Sequence, residues 1–168
     1  VTAAAAAAGL TFIAGGSVSA QTTLTISNCF TSTYDNYKMM ISNYFTSVAG
    51  YNLWWRFGTG TADSTSGYIY TTVSGAGVST NTYGIIANTS ASGTGRKGGI
   101  NIEMQSPNLA QPTNLQAHSS SFGSTSALGF SPTVVQKPTT DQYTSLYLLC
   151  ETPETFTFDY KIYGYANS

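Results

Sequence analysis

Apolar and polar positions alternate with a period of two over short runs along most of the chain. Ile100, Ile102 and Met104 alternate with Asn101 and Glu103, so the two sets fall on opposite faces of one strand. Tyr37, Met39 and Ile41 share a face within Tyr37–Phe45. Thr22–Phe30 sets Leu24, Ile26 and Asn28 against Thr23, Thr25 and Ser27. Further runs are Leu10–Ala14, Asn52–Phe57, the β-branched and aromatic Tyr68–Val73, Tyr83–Ala87, Ser145–Glu151 and Phe156–Tyr165. Together they predict about nine strands of ordinary length. The spacers carry turn chemistry in Tyr34-Asp35-Asn36, Gly58-Thr59-Gly60, Gly75-Ala76-Gly77 and Ser106-Pro107-Asn108. In Trp54-Trp55 the two rings point to opposite sheet faces, so either one is core and the other faces outward or a neighbouring subunit, or both are buried between layers.

Helical periodicity is missing from the sequence. Only Thr2–Ala8 has high helix propensity, and it is short, uncapped and ended by Gly9. Without helices to serve as crossovers, the strands must pair antiparallel. The expected fold is all-β, an antiparallel β-sandwich, jelly-roll-like, with about nine strands. Residues 1–9 are read as an N-terminal arm and residues 10–168 as a single sandwich domain.

Composition narrows the function. Hydrophobic residues make up 41%, which excludes a disordered chain. Charged residues are only 8%, against about 25% in an average domain. A surface of Ser, Thr, Asn, Gln, Gly and Tyr can bury itself against a neighbour with little charge desolvation. A neutral extracellular protein would have the same composition. Net charge is −1 with no basic run, so no phosphate-neutralising groove, and hence no nucleic-acid partner, is expected. The alanines of Ala3–Ala8 are far too few to span a bilayer, and Val1–Ala14 lacks the basic start of a signal peptide, so no membrane insertion is expected. Cys29 and Cys150 both lie in apolar strand-like runs and read as buried, reduced thiols, although spacing alone leaves a bond between them open.

Candidate chemistry is sparse. Gly93-Thr94-Gly95-Arg96-Lys97-Gly98 has the spacing of a dinucleotide fingerprint, but that mechanism needs a helix N-terminus next, and Gly99-Ile100-Asn101-Ile102 alternates like a strand. The stretch reads instead as a basic hairpin tip. His118 is the only histidine, has no partners at metal-site spacing, and reads as a solvent or loop residue. Seven carboxylates could supply a glycosidase pair, yet nothing in the sequence marks one out, and no G-x-S-x-G elbow exists. Glu103, on the polar face of its strand, is expected in solvent or paired with an Arg across the sheet. No catalytic residue, cofactor or metal site is expected.

Three stretches in order resemble a family of small structural proteins of tailed phages, marine ones especially. They are Phe30-Thr31-Ser32-Thr33-Tyr34-Asp35-Asn36-Tyr37, Ile102-Glu103-Met104-Gln105-Ser106-Pro107-Asn108-Leu109-Ala110, and Tyr160-Lys161-Ile162-Tyr163-Gly164-Tyr165-Ala166-Asn167. The resemblance runs from about Leu10 to the C-terminus. It implies a virion appendage, a head decoration or a tail-fibre tip, and it carries no catalytic motif. In relatives the domain ends longer fibre proteins, whereas here it fills nearly the whole chain, which favours a free-standing head protein. The expectation is therefore a capsid decoration or cement protein in an extracellular phage particle assembled in the host cytoplasm. Its partners would be copies of itself, as a trimer, and the major capsid protein or another virion protein. The alternative is a receptor- or carbohydrate-binding module of a tail fibre, with a host surface glycan as partner; a polysaccharide-degrading enzyme is a third reading. Candidate partner contacts are Val1, Thr2 and Ala3 of the arm, Arg96 and Lys97 of the basic tip, and Trp54.

Overall fold

A computed structural model describes residues 9–48, 50–72, 75–88, 97–122, 128–151 and 154–167. Within them the chain forms strands β1 (Leu10–Gln21), β2 (Thr23–Ile26), β3 (Asn36–Thr46), β4 (Asn52–Thr59), β5 (Thr61–Ala62), β6 (Tyr68–Thr72) and β7 (Gly75–Asn81). There follow β8 (Gly84–Asn88), β9 (Gly98–Gln105), β10 (Thr113–Phe122), β11 (Leu128–Lys137), β12 (Ser145–Cys150) and β13 (Phe156–Tyr165). No helix occurs among the described residues, so none there could cross a membrane.

Two antiparallel sheets result. The larger has eight strands in the order β1-β13-β3-β9-β10-β11-β6-β7. The smaller has five, in the order β2-β12-β4-β5, with β8 paired to the other side of β4. Each sheet turns one face inward. Tyr37, Met39, Ile41, Ile100, Ile102, Met104, Leu115 and Ile162 of the large sheet meet Leu53, Trp55, Phe57, Ile86, Leu146 and Leu148 of the small one in one buried cluster. The period-two pattern thus does what it predicts. Ile100, Ile102 and Met104 are buried while Asn101 is exposed, and Trp55 is core while Trp54 faces outward.

All nine expected runs hold a strand, and β5, β7, β10 and β11 join them. The run Thr22–Phe30 is a correction, since its strand ends at Ile26 and Asn28 turns the chain at a φ of 55°, and Val73 of the run Tyr68–Val73 lies outside the described residues. The turn expected at Gly75-Ala76-Gly77 is a correction. These residues open β7 and pair with Thr72, Thr71 and Tyr70 of β6. Glycine's weak strand preference is overridden by ladder pairing to an otherwise unprotected edge. His118, expected in a loop or solvent, is exposed but sits in mid-strand on β10.

The three stretches that carry the phage resemblance meet at one end of the sandwich. Ser106 N–H donates to the Asp35 carbonyl at 2.8 Å, and Asn167 Oδ1 accepts from Asp35 N–H at 3.2 Å. The Tyr34 ring lies flat over Gly164, where an added Cβ would come within 2.4 Å of it. Ser106 takes a left-handed φ of 61°, and Tyr143 N–H donates to the Pro107 carbonyl at 2.7 Å. These contacts fix turns and strand ends in all three stretches.

Candidate functional site

The outward face of the large sheet carries a trough of about 650 Å³ crossing β1, β13, β3, β9, β10 and β11. Backbone irregularities shape it. A bulge in β1 between Phe12 and Ala14 keeps Phe12 outward beside its register partner Tyr163 while Ala14 turns toward the core. The two rings meet edge to face, 5.9 Å apart at 72°. At the opposite end, β10 and β11 place His118 and Phe130 outward, with ring centroids 5.7 Å apart at 21°. Phe12 is 59% and Phe130 67% exposed.

The floor between these rings carries the exposed Met40 among small residues, with Asn101, Asp159 and Lys161 as its polar groups. A second bulge, in β3, puts Asn43 at φ 56° and turns its amide onto Asp159. Asn43 Nδ2 donates to Asp159 Oδ2 at 2.6 Å, and Ser17 Oγ donates to Asp159 Oδ1 at 2.6 Å. These hydrogen bonds, Ser17's first, hold the Asp159 carboxyl below the ordinary carboxylate range, with a smaller pull from the Lys97 charge. Asn101, Lys161 and Ser120 line the same floor, and Gly15, Gly16 and Gly99 leave it open.

Beside the trough, Lys38 and Glu103 stand opposite each other on β3 and β9 and form an ion pair at 2.7 Å. Glu103 therefore pairs with a lysine rather than with an arginine. Tyr165 Oη also donates to Glu103, at 2.5 Å; burial first, and then that bond to a carboxylate, push the phenol up to about 12.

A second polar cluster closes the sandwich where the β5–β6 connection meets the end of β11. Lys137 is fully buried. Its Nζ lies 3.1 Å from Asp63 Oδ2, 2.9 Å from Thr65 Oγ1 and 3.1 Å from the Thr65 carbonyl, and 4.4 Å above the Tyr68 ring. Tyr143 Oη donates to Asp63 Oδ2 at 2.9 Å, and Asp141 Oδ2 lies 3.3 Å from the same hydroxyl. Burial alone would raise the Asp63 carboxyl; hydrogen bonds from Thr65, Tyr143 and Lys137 outweigh it and hold the group below its ordinary value. Burial raises the Tyr143 and Tyr68 phenols. A cleft of about 380 Å³ opens beside Asp63 and Asp141. The structure thus brings two carboxylates together where the sequence marked none. A general acid needs a raised pKa, and Asp63 is shifted the other way.

The sequence-predicted contacts are scattered. Val1, Thr2, Ala3 and Arg96 lie outside the described residues. Lys97 is exposed just before β9, on the large sheet. Trp54 belongs to the small sheet, half-buried, with its ring stacked on Tyr83 at 4.0 Å and 10°. It is thus covered on one face rather than presented as a free anchor. Gly98 runs straight into β9, so the G-x-G-x-x-G spacing has no helix to serve a pyrophosphate. Among the described residues no group of three or more His, Cys, Asp or Glu could hold a metal ion. The signals that could have found the trough were the outward positions of β1, β10 and β11, and two of those strands were not recognised in the sequence.

No protein-family model matches the chain, and no curated protein matches it either.

Proposed function

We propose that the chain is a non-enzymatic structural protein of a tailed-phage virion, a capsid decoration or cement protein that stabilises the head as a homo-oligomer, a trimer, seated on the major capsid protein. With it goes a finer reading of the fold, an expanded jelly roll. The observation that carries both is strand order. Four antiparallel pairs, β1–β13, β2–β12, β3–β9 and β4–β8, are those of one long hairpin wound across two sheets. They give the orders β1-β13-β3-β9 and β2-β12-β4-β8. The strands β5–β7 and β10–β11 are then insertions, and β10, β11, β6 and β7 widen the large sheet. Viral capsid and lectin domains use that winding, and the step from fold to role is an analogy. The non-enzymatic reading draws on the engaged Asp63 carboxylate. The neutral composition supports contacts that salt barely screens.

The trough favours a second reading, a receptor- or carbohydrate-binding module of a tail fibre. Mass spectrometry of purified particles, with electron cryo-microscopy to place the chain, separates the two. Copies matching the capsid lattice are expected. A few copies at the tail tip would favour the second reading, and absence from particles would overturn both.

A further inference from the structure

We propose that the trough on the outward face of the large sheet is a binding site for a neutral glycan chain. The inference deepens the carbohydrate-binding reading above and rests on it.

The volume, about 650 Å³, lies within the range of ligand sites. Its two ends are aromatic, Phe12 with Tyr163 and His118 with Phe130. The outer rings, Phe12 on β1 and Phe130 on β11, stand five strand spacings apart, ~24 Å across the sheet, and the inner ones, Tyr163 and His118, three, ~14 Å, so the trough suits an oligomer rather than one small molecule. A sugar ring presents an apolar C–H face and a rim of hydroxyls. The negative face of an exposed aromatic ring takes the C–H side. Hydroxyls need both donors and acceptors, which the floor supplies as Lys161, Asn101 and the Asp159 carboxylate. Asp159 is already oriented by Ser17 and Asn43, so an acceptor stands in place before any ligand arrives.

Other occupants fit less well. A protein hot spot concentrates large aromatic anchors at the centre inside a polar rim; here the rings stand at the ends, and the centre holds a single exposed apolar side chain, Met40, between its strand neighbours Lys161 and Asn101. A polyanion would meet the Asp159 carboxylate in the floor, with one lysine to offset it. A lipid chain would leave those same polar groups unpaired.

Two substitutions probe the site with little risk to the fold. Phe130 is 67% exposed, so Phe130→Ala removes a wall without emptying the core. A Cβ added at Gly99 would meet nothing closer than the Ile41 carbonyl at 3.4 Å and Ser120 Oγ at 3.8 Å, so the backbone there admits a side chain, and Gly99→Gln extends one from the floor. Maltohexaose, cellohexaose and chitohexaose serve as probes, titrated by calorimetry and ligand-detected NMR against the full chain. We expect at least one to bind with a Kd of about 1 mM or tighter, and each variant to weaken it by roughly tenfold or more with an unchanged melting temperature. No binding of any probe up to about 10 mM would overturn the proposal. So would binding that both variants leave intact, or self-association through the trough that Phe130→Ala abolishes while no sugar binds. Particles that contain the chain while all three sugars fail would leave the virion reading standing and remove the glycan alone.

Discussion

The Lys137 ammonium lies 3.1 Å from the Asp63 carboxylate, with the lysine side chain wholly buried and the aspartate 13% exposed. The two partners are therefore unequal. Asp63→Ala leaves a buried cation with only Thr65, the Ser66 carbonyl and the Tyr68 ring as compensation. Removing one member of a buried pair typically costs about 3–5 kcal/mol. Lys137→Met removes the charge and keeps an apolar side chain, while Asp63 retains Thr65 and Tyr143. Urea unfolding is expected to show Asp63→Ala losing about 3–5 kcal/mol and Lys137→Met clearly less. Equal losses would mean that the buried charge is not what the pair compensates.

The same carboxylate sets an acid limb. Asp63 and Asp159 both titrate below the ordinary carboxylate value in the folded protein. A depressed folded pKa contributes stability that is complete above the unfolded value of about 4 and is lost as pH falls through the folded one. Melting temperature should hold level down to ~pH 5 and then fall. In Asp63→Asn the baseline drops, but the fall below ~pH 5 becomes shallower. An acid limb of unchanged steepness in that variant would assign it to other groups.

On β9, burial alternates residue by residue, Ile102 at 0% exposure beside exposed Asn101. Ile102→Ala removes volume from the contact between the sheets and should cost roughly 2–5 kcal/mol, while Asn101→Ala should cost under about 0.5. The check is a pair of denaturation curves, and similar midpoints would count against the register of β9 against β3 and β10.

Strands with a clean apolar stripe were legible, and strands buried by polar side chains were not. In β10 the inward positions are Thr113, Leu115, Ala117 and Ser119, all buried, so half the core face is hydroxyl-bearing and the stripe disappears. In β11, Pro132 is a residue that strands disfavour. It is tolerated because β6 pairs only with Val134–Gln136, leaving the strand near Pro132 laddered to β10 alone. Missing these two strands hid the trough's second wall. The Lys137 cluster was hidden for a different reason. Gln136-Lys137-Pro138 reads as a polar strand end, and only the β5–β6 connection, 72 residues earlier in sequence, turns it into a buried ion site. The Tyr34–Gly164 contact was equally out of reach, since a glycine's need for space belongs to its neighbour rather than to its own sequence.

Cys29 and Cys150 are free and buried. Burial pushes their thiols up from the ordinary 9.0, to about 12 for Cys29 and about 11 for Cys150. An acid whose folded pKa is raised contributes stability that is full below the unfolded value and is lost as pH rises toward the folded one. Stability should therefore decline above ~pH 9, and reducing agent should leave the melting temperature unchanged. Iodoacetamide at neutral pH should label both thiols only after denaturant is added. Rapid labelling of the folded protein would contradict the burial.

Gly84 of β8 packs directly against β11 of the opposite sheet. A Cβ built there would lie 2.3 Å from Val135 Cγ1 and 2.9 Å from Cγ2. Val135 belongs to β11 on the opposite sheet, is 1% exposed, and as a β-branched residue has little rotamer freedom with which to yield. Gly84→Ala should therefore destabilise by about 1–3 kcal/mol, the usual cost of overpacking a filled core. The contrast is Gly99→Ala on the outward face, where the nearest atom is 3.4 Å away and the change should stay within about 0.5 kcal/mol. Because the clash is with one side chain, trimming that side chain should relieve it. In the Gly84→Ala background, Val135→Ala should cost less than it does in the parent, with a coupling of about 1 kcal/mol or more in the double-mutant cycle. Strictly additive losses would show that the sheets do not touch at this point, and that the glycine serves the β4–β8 pairing instead.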